Sequence, residues 1–160
     1  MKRKIKKHFG FTLAEILVVI AIMAIIAAAA YPVISNYRKS VEVESAAEEI
    51  QNVLRQAQSE SMTVKNEIEH GVYFDEVNAK FILFAGTSYD PVATDNYEYN
   101  LSANVEYLSI NFEGLDSQTV VFSKLSGSTS NDGNVIIRSV RDASYEATVS
   151  VNDKGRVSLN

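Results

Sequence analysis

The chain has 160 residues, 46% hydrophobic and 22% charged, with a formal net charge of −5, no cysteine and no tryptophan. That length suits one domain plus an attached segment. The lack of cysteine excludes disulfide frameworks, thiol nucleophiles and thiolate metal sites. The charge is unevenly spread: residues 1–10 carry five of the 15 Lys+Arg and none of the 20 Asp+Glu, which leaves the remainder at −10. An acidic body disfavours nonspecific binding to a polyanion.

The basic start (Lys2, Arg3, Lys4, Lys6, Lys7) runs into Gly10-Phe11-Thr12-Leu13-Ala14-Glu15 and then an apolar stretch. From Phe11 to Ile34 there are 24 residues, with Glu15 as the only side chain charged at neutral pH. As a helix this stretch is roughly 36 Å long, enough to cross a hydrocarbon core of about 30 Å. A carboxylate at mid-bilayer costs about 2.5–3.5 kcal/mol, so Glu15 is a functional candidate. The leader outweighs Arg38 and Lys39 in positive charge, which places the N-terminus in the cytoplasm and the body outside. Two plainer readings exist. Ala28-Ala29-Ala30 fits a signal-peptidase site, but Glu15 inside the apolar region argues against a secretory signal. An uncleaved signal anchor explains the apolar run and its basic flank, but neither Gly10-Phe11 nor Glu15.

Gly10, Phe11-Thr12-Leu13-Ala14-Glu15, the unbroken apolar run and Pro32 together resemble the leader of the type IV prepilin and pseudopilin superfamily. The resemblance implies cleavage after Gly10 by a prepilin peptidase and N-methylation of Phe11. It further implies that Glu15 pairs with the N-terminal amine of a neighbouring subunit, and that Pro32 bends the helix. The physics agrees, because cutting at Gly10 delivers an ammonium close to a carboxylate that otherwise sits uncompensated among apolar residues. The missing cysteines also remove the C-terminal disulfide loop of many major type IVa pilins.

Past Pro32 the pattern becomes amphipathic. Val43, Ala46, Ala47, Ile50, Val53, Leu54 and Ala57 recur at steps of three and four, with Glu42, Glu48, Glu49, Arg55 and Glu60 on the other sides. This predicts a helix that continues the membrane helix and ends between Ser61 and Lys65, its apolar stripe turned to a core. From Gly71 the period becomes two. Residues 71–75 and 80–85 predict a hairpin about Glu76–Ala79. Gly86–Ala103 reads mainly as a long loop. Strands are expected over 105–112, 119–123, 134–140, 145–151 and 156–159, with a loop at 126–133 and a tight turn at 152–155. Strands gathered behind one long helix predict an α+β fold, with an antiparallel sheet laid on the helix stripe.

Val120-Val121-Phe122 leading to Gly127, Gly133–Ile137, and Ala147–Val151 ending in Gly155-Arg156-Val157 resemble the GspH/FimT family of minor pilins and pseudopilins. The calcium-loop signature of the major pseudopilin, Pro-Trp-Gly, is missing. Candidate chemistry is sparse. His8 lies in the leader and His70 stands alone at a strand start. Asn131-Asp132-Gly133-Asn134 offers oxygen ligands without a full calcium set, and no metal or cofactor is expected. DNA uptake is the competing function within the resembled family. Its DNA binders carry a second basic residue just after the Gly-Arg turn, where this chain has Ser158. Arg138, Arg141, Lys154 and Arg156 would form at most a small basic patch on neighbouring strands, against a strongly acidic body.

The sequence therefore predicts four parts: a leader (1–10), a transmembrane assembly half of a helix (11–37), its amphipathic half (38–65), and a β-rich body (66–160). The function expected from the resemblance is a structural minor pilin or pseudopilin rather than an enzyme. Its partners would be a prepilin peptidase, other pilin subunits, an inner-membrane assembly platform and lipid. It would reside first in the cytoplasmic membrane and then in a pilus or pseudopilus. DNA binding, or service as a plain membrane-anchored domain, are the alternatives.

Overall fold

The computed structural model describes residues 11–63, 68–113 and 118–160, except for the side chains of Ala30, Pro32, Val33 and Ser35. The expected bend at Pro32 and the leader with Gly10 lie outside what is described. The chain divides into two compact units at Tyr37/Arg38, and helix α1 (Leu13–Met62) supplies residues to both.

In the first unit the helical side chains described from Leu13 to Ala29 are all exposed. Among the described residues no helix is long and apolar enough to cross a membrane.

In the second unit the amphipathic stripe does what its spacing predicts. Val43, Ala46, Ala47, Ile50, Val53, Leu54 and Ala57 are all buried, while Glu48 and Glu49 stay exposed. Burying an Ile or Leu of this kind contributes roughly 1.5–3 kcal/mol. The stripe packs into one core with residues from eight strands, all paired antiparallel. These strands are β1 (His70–Asp75), β2 (Lys80–Ala85), β3 (Tyr97–Asn100), β4 (Val105–Phe112), β5 (Thr119–Phe122), β6 (Gly133–Ser139), β7 (Asp142–Val151) and β8 (Val157–Leu159). The α+β reading holds, with one refinement: the strands divide into two four-stranded sheets, β3-β2-β1-β5 and β4-β6-β7-β8.

The expected hairpin is β1–β2, in register from His70↔Ala85 to Asp75↔Lys80. Its turn is fixed by Asp75, whose Oδ1 accepts from the Asn78 N–H at 3.0 Å and whose Oδ2 accepts from Asn78 Nδ2 at 2.8 Å. In the core, Phe74 stacks on Phe112 and meets Tyr107 edge-on, with ring centroids 5.5 and 6.1 Å apart. Gly71 is required where it stands: a Cβ there would lie 2.6 Å from the Phe84 ring and from the Val120 carbonyl. Phe84 and Ile82 are buried on the face of their sheet away from that core. There the segment after β2 returns to stack Tyr89 on Tyr73, with centroids 4.3 Å apart.

Two sequence expectations need correction. Gly86–Ala103 is not all loop, because Tyr97–Asn100 pairs with β2 as an edge strand. Its residues are exposed or half-buried, so it has no buried alternation to announce it. The seventh strand begins at Asp142 rather than Tyr145: Asp142 pairs with Ser139 of β6, and the residues from Asp142 to Tyr145 are exposed or half-buried, with no buried alternation to announce them.

Candidate functional site

The N-terminal motif sits at the head of α1. Phe11 and Thr12 precede the helix and Glu15 falls in its first turn. The Glu15 N–H donates to Thr12 Oγ1 at 3.3 Å, and Thr12 returns its own N–H to Glu15 Oε2 at 3.4 Å. The Thr12 hydroxyl also reaches Oε2, at 3.5 Å. This is a capping box: Thr at the N-cap and Glu three residues on each satisfy a main-chain donor that the helix end leaves open. The negative charge also suits the positive end of the helix dipole. Thr12-Leu13-Ala14-Glu15 carries that pattern openly in the sequence, yet the motif reading above assigns Glu15 only an intersubunit role. Both bonds fall on Oε2, and Oε1 takes none among the described residues. Phe11, 82% exposed, presents the position that cleavage after Gly10 would make N-terminal. Beyond it, Leu13, Ile16, Leu17, Val18, Val19 and Ile20 lie exposed along the helix, an apolar surface left uncovered among the described residues of its unit.

The Gly-Arg turn joins β7 to β8. Gly155 has φ +76°, and a Cβ there would collide with the Gly127 carbonyl and lie 2.6 Å from Gln58 Nε2. Gln58 instead donates Nε2 to that carbonyl at 2.9 Å. Thr129 N–H bonds the Asp153 carbonyl at 3.1 Å, and Leu125 N–H bonds the Ser61 carbonyl at 3.0 Å. Gly127 and Gly155 thus let the loop after β5, the turn before β8 and the end of α1 meet at main-chain distance. Arg156 is exposed, and its main-chain N–H bonds Asn152 Oδ1 at 2.8 Å.

The basic residues are not brought together. Arg138 is on β6, with Nε on Glu106 Oε1 at 2.7 Å. Arg141 lies in the β6–β7 turn, whereas Lys154 and Arg156 lie past the other end of the ten-residue β7, about 33 Å away along the strand. Strands can be neighbours while their ends are far apart, and these cations mark opposite ends.

His70 opens β1 and is buried, its Nε2 3.5 Å from Glu60 Oε2 and its Nδ1 without a partner among the described residues. Asn131 and Asp132 serve the loop after β5: Asn131 Nδ2 donates to the Glu113 carbonyl at 2.7 Å, and the Asp132 carbonyl accepts from the Glu113 N–H at 2.9 Å. Among the described residues no group of three or more His, Cys, Asp or Glu could hold a metal.

The perturbed titrations belong to turns and packing. The Asn78 side chain holds the Asp75 carboxyl below its ordinary value, and that of Ser144 does the same for Asp142. The Glu98 hydrogen bond raises Lys80, and burial pushes the Tyr107 phenol well above its usual range.

Comparison with known proteins adds to this geometry. Residues 5–31 match the family model described as the prokaryotic N-terminal methylation motif. No curated protein matches the chain. The minor pseudopilin EpsH from the type 2 secretion system of Vibrio cholerae is 14% identical, with a TM-score of 0.53 over 74% of this chain and 96% of that one. The type IV minor pilin FimU of Pseudomonas aeruginosa is also 14% identical, with a TM-score of 0.55 over 73% of this chain and 91% of its own. At that identity the likeness is one of fold.

Proposed function

We propose that this chain, by its N-terminal motif and its fold a type IV pilin or pseudopilin of the GspH-like kind, is a minor structural subunit of an envelope filament. The observation that carries the reading is the head of α1: Phe11, the Thr12–Glu15 capping pair and an exposed apolar helix surface, attached to a pilin-like body. In this reading the 24-residue run from Phe11 to Ile34 holds the protein in the cytoplasmic membrane, with the body outside. A prepilin peptidase removes residues 1–10 and Phe11 is methylated. The chain then leaves lipid for a helical bundle, guided by an inner-membrane assembly platform.

Glu15 has two tasks in that sequence of events. It caps its own helix through Thr12, which fixes its side chain at the membrane-entry end. It also meets the Phe11 ammonium of a neighbouring subunit, because two opposite charges in an apolar bundle are tolerable only as a pair.

Coexpression with a prepilin peptidase tests the first step. Mass spectrometry should find a mature terminus at Phe11 carrying a methyl group, and Gly10→Val should leave the chain uncut. A terminus at Tyr31, or an intact chain beside an active peptidase, would overturn the reading.

A further inference from the structure

β3 and the two residues after it carry Glu98-Tyr99-Asn100-Leu101-Ser102. This holds the one Asn-X-Ser/Thr triplet in the sequence, the acceptor pattern for an N-linked glycan. The acid two places before the asparagine extends it to Asp/Glu-X-Asn-X-Ser/Thr, the form that bacterial oligosaccharyltransferases read. A triplet alone arises readily by chance, and it becomes a site only where the fold presents it.

Along an extended segment, residues two apart share a face. Glu98, Asn100 and Ser102 are all exposed, whereas Tyr99 is half-buried and Leu101 is buried. The inward pair fixes the segment: the Tyr99 ring stacks on Phe81 with centroids 5.3 Å apart, and the Leu101 N–H bonds the Ala79 carbonyl at 2.9 Å. The three residues that the pattern requires thus stand on the outer side, and the two that it leaves free hold the strand to the core. The outer three are also chemically available. The Asn100 carboxamide makes no hydrogen bond among the described residues. Ser102 Oγ takes only a long contact from the Asn104 N–H, at 3.5 Å. Glu98 gives Oε1 to Lys80 Nζ at 3.0 Å, and its side chain is still 54% exposed. β3 is the edge of its sheet, so among the described residues no strand flanks Asn100 on the side away from Lys80.

We propose that Asn100 accepts an N-linked oligosaccharide outside the cytoplasmic membrane, an inference that rests on the outward placement of the body argued above. Asn100 Nδ2 attacks the anomeric carbon of an oligosaccharide carried on a polyprenyl pyrophosphate. The new C–N bond replaces the C–O bond to the pyrophosphate, which leaves with the bonding pair. Nδ2 gives up one of its two protons to a base of the transferase. The Glu98 carboxylate and the Ser102 hydroxyl are the groups by which the transferase holds the segment. The glycan then stands on the outer face of the sheet, clear of the core, and the fold carries it without repacking.

The test treats the folded full chain in detergent micelles with a purified bacterial oligosaccharyltransferase and a polyprenyl-pyrophosphate oligosaccharide. Intact mass should rise by a single oligosaccharide, and fragmentation should place it on Asn100. Asn100→Gln and Ser102→Ala should abolish the gain at an unchanged melting temperature, while Ser102→Thr keeps it. Glu98→Gln should slow the transfer about tenfold, the worth of one hydrogen bond to a charged group. No mass gain on the folded parent, or a gain that survives Asn100→Gln or Ser102→Ala, would overturn the proposal. Coexpression in cells whose transferase acts outside the cytoplasmic membrane separates this inference from the reading beneath it. Modification there supports both. A chain modified in micelles but never in those cells would overturn the outward placement of the body, and with it the modification.

Discussion

Replacing Gly155 by alanine isolates what the Gly-Arg turn does. The residue has φ +76°, a conformation that costs an L side chain roughly 1–2 kcal/mol. Its new methyl would also occupy the place of the Gly127 carbonyl, a rigid main-chain atom that cannot rotate aside. Relief requires the β7–β8 turn to back away, which breaks the Gln58–Gly127 hydrogen bond and costs about 1 kcal/mol more. The sum is about 3 kcal/mol, a large share of the roughly 5–15 kcal/mol that holds a domain folded. For a body of this size that corresponds to a melting temperature about 10 °C lower. Circular dichroism melts of parent and variant provide the measurement. Arg156→Ala is the control: its side chain is exposed and its main-chain bond to Asn152 persists, so its melt should shift by less than about 0.5 kcal/mol. If Gly155→Ala melts within about 2 °C of the parent, the close packing of the two glycines is not what the turn requires. If Arg156→Ala is the more damaging of the two, the arginine has a structural role that its exposure denies.

A fragment beginning at Arg38 should fold as a monomer, since the core residues all lie in Arg38–Asn160. In that fragment Ile50→Asp should abolish the thermal transition, because an unpaired carboxylate at a fully buried site costs several kcal/mol. A parental melt for that variant would remove the helix stripe from the core. Acid provides a second check. Asp142 and Asp75 are held below the ordinary carboxyl value of 3.8, so each contributes stability at neutral pH. That contribution is lost as pH falls through the lowered folded values, and the exposure of both groups keeps it small and salt-sensitive. Ser144→Ala should shrink the drop in melting temperature between about pH 6 and pH 2, and an unchanged drop would show that Asp142 draws nothing from Ser144.

The parts of the fold legible in the sequence are those with a strong local period. The stripe from Val43 to Ala57 predicts its own burial, and the alternation on either side of Glu76–Ala79 predicts the β1–β2 hairpin to the residue at its turn. Tyr97–Asn100 is illegible because it becomes a strand only by pairing with β2, and its exposed edge position leaves no alternating trace. The division into two sheets is likewise a matter of which strands meet, and pairing between distant segments has no local signature. At the candidate site, the capping pair was within reach: Thr12 and Glu15 stand at the right spacing, but a carboxylate at the start of an apolar run directs attention to partners outside the chain. The basic patch dissolves for the opposite reason. Adjacent strands were foreseeable, whereas the placement of Arg141 and Lys154 at opposite ends of β7 depends on the length of that strand.

The central claim is that the charge of Glu15 serves assembly, and Glu15→Gln tests it most directly. The glutamine oxygen can still accept from Thr12, so the helix cap survives while the charge is gone. Loss of a carboxylate also eases membrane insertion, and Gly10 and the basic leader are untouched. The variant should therefore accumulate in membranes and be cleaved as the parent is. The amine of a neighbouring Phe11, with a pKa near about 8 in water, would then be desolvated in the bundle without a counter-ion. The measurement is the amount of processed variant in sheared filaments relative to membranes, in a host carrying the cognate machine. The account predicts near-parental amounts in membranes and almost none in filaments. Entry of Glu15→Gln into filaments at the parental level would contradict it.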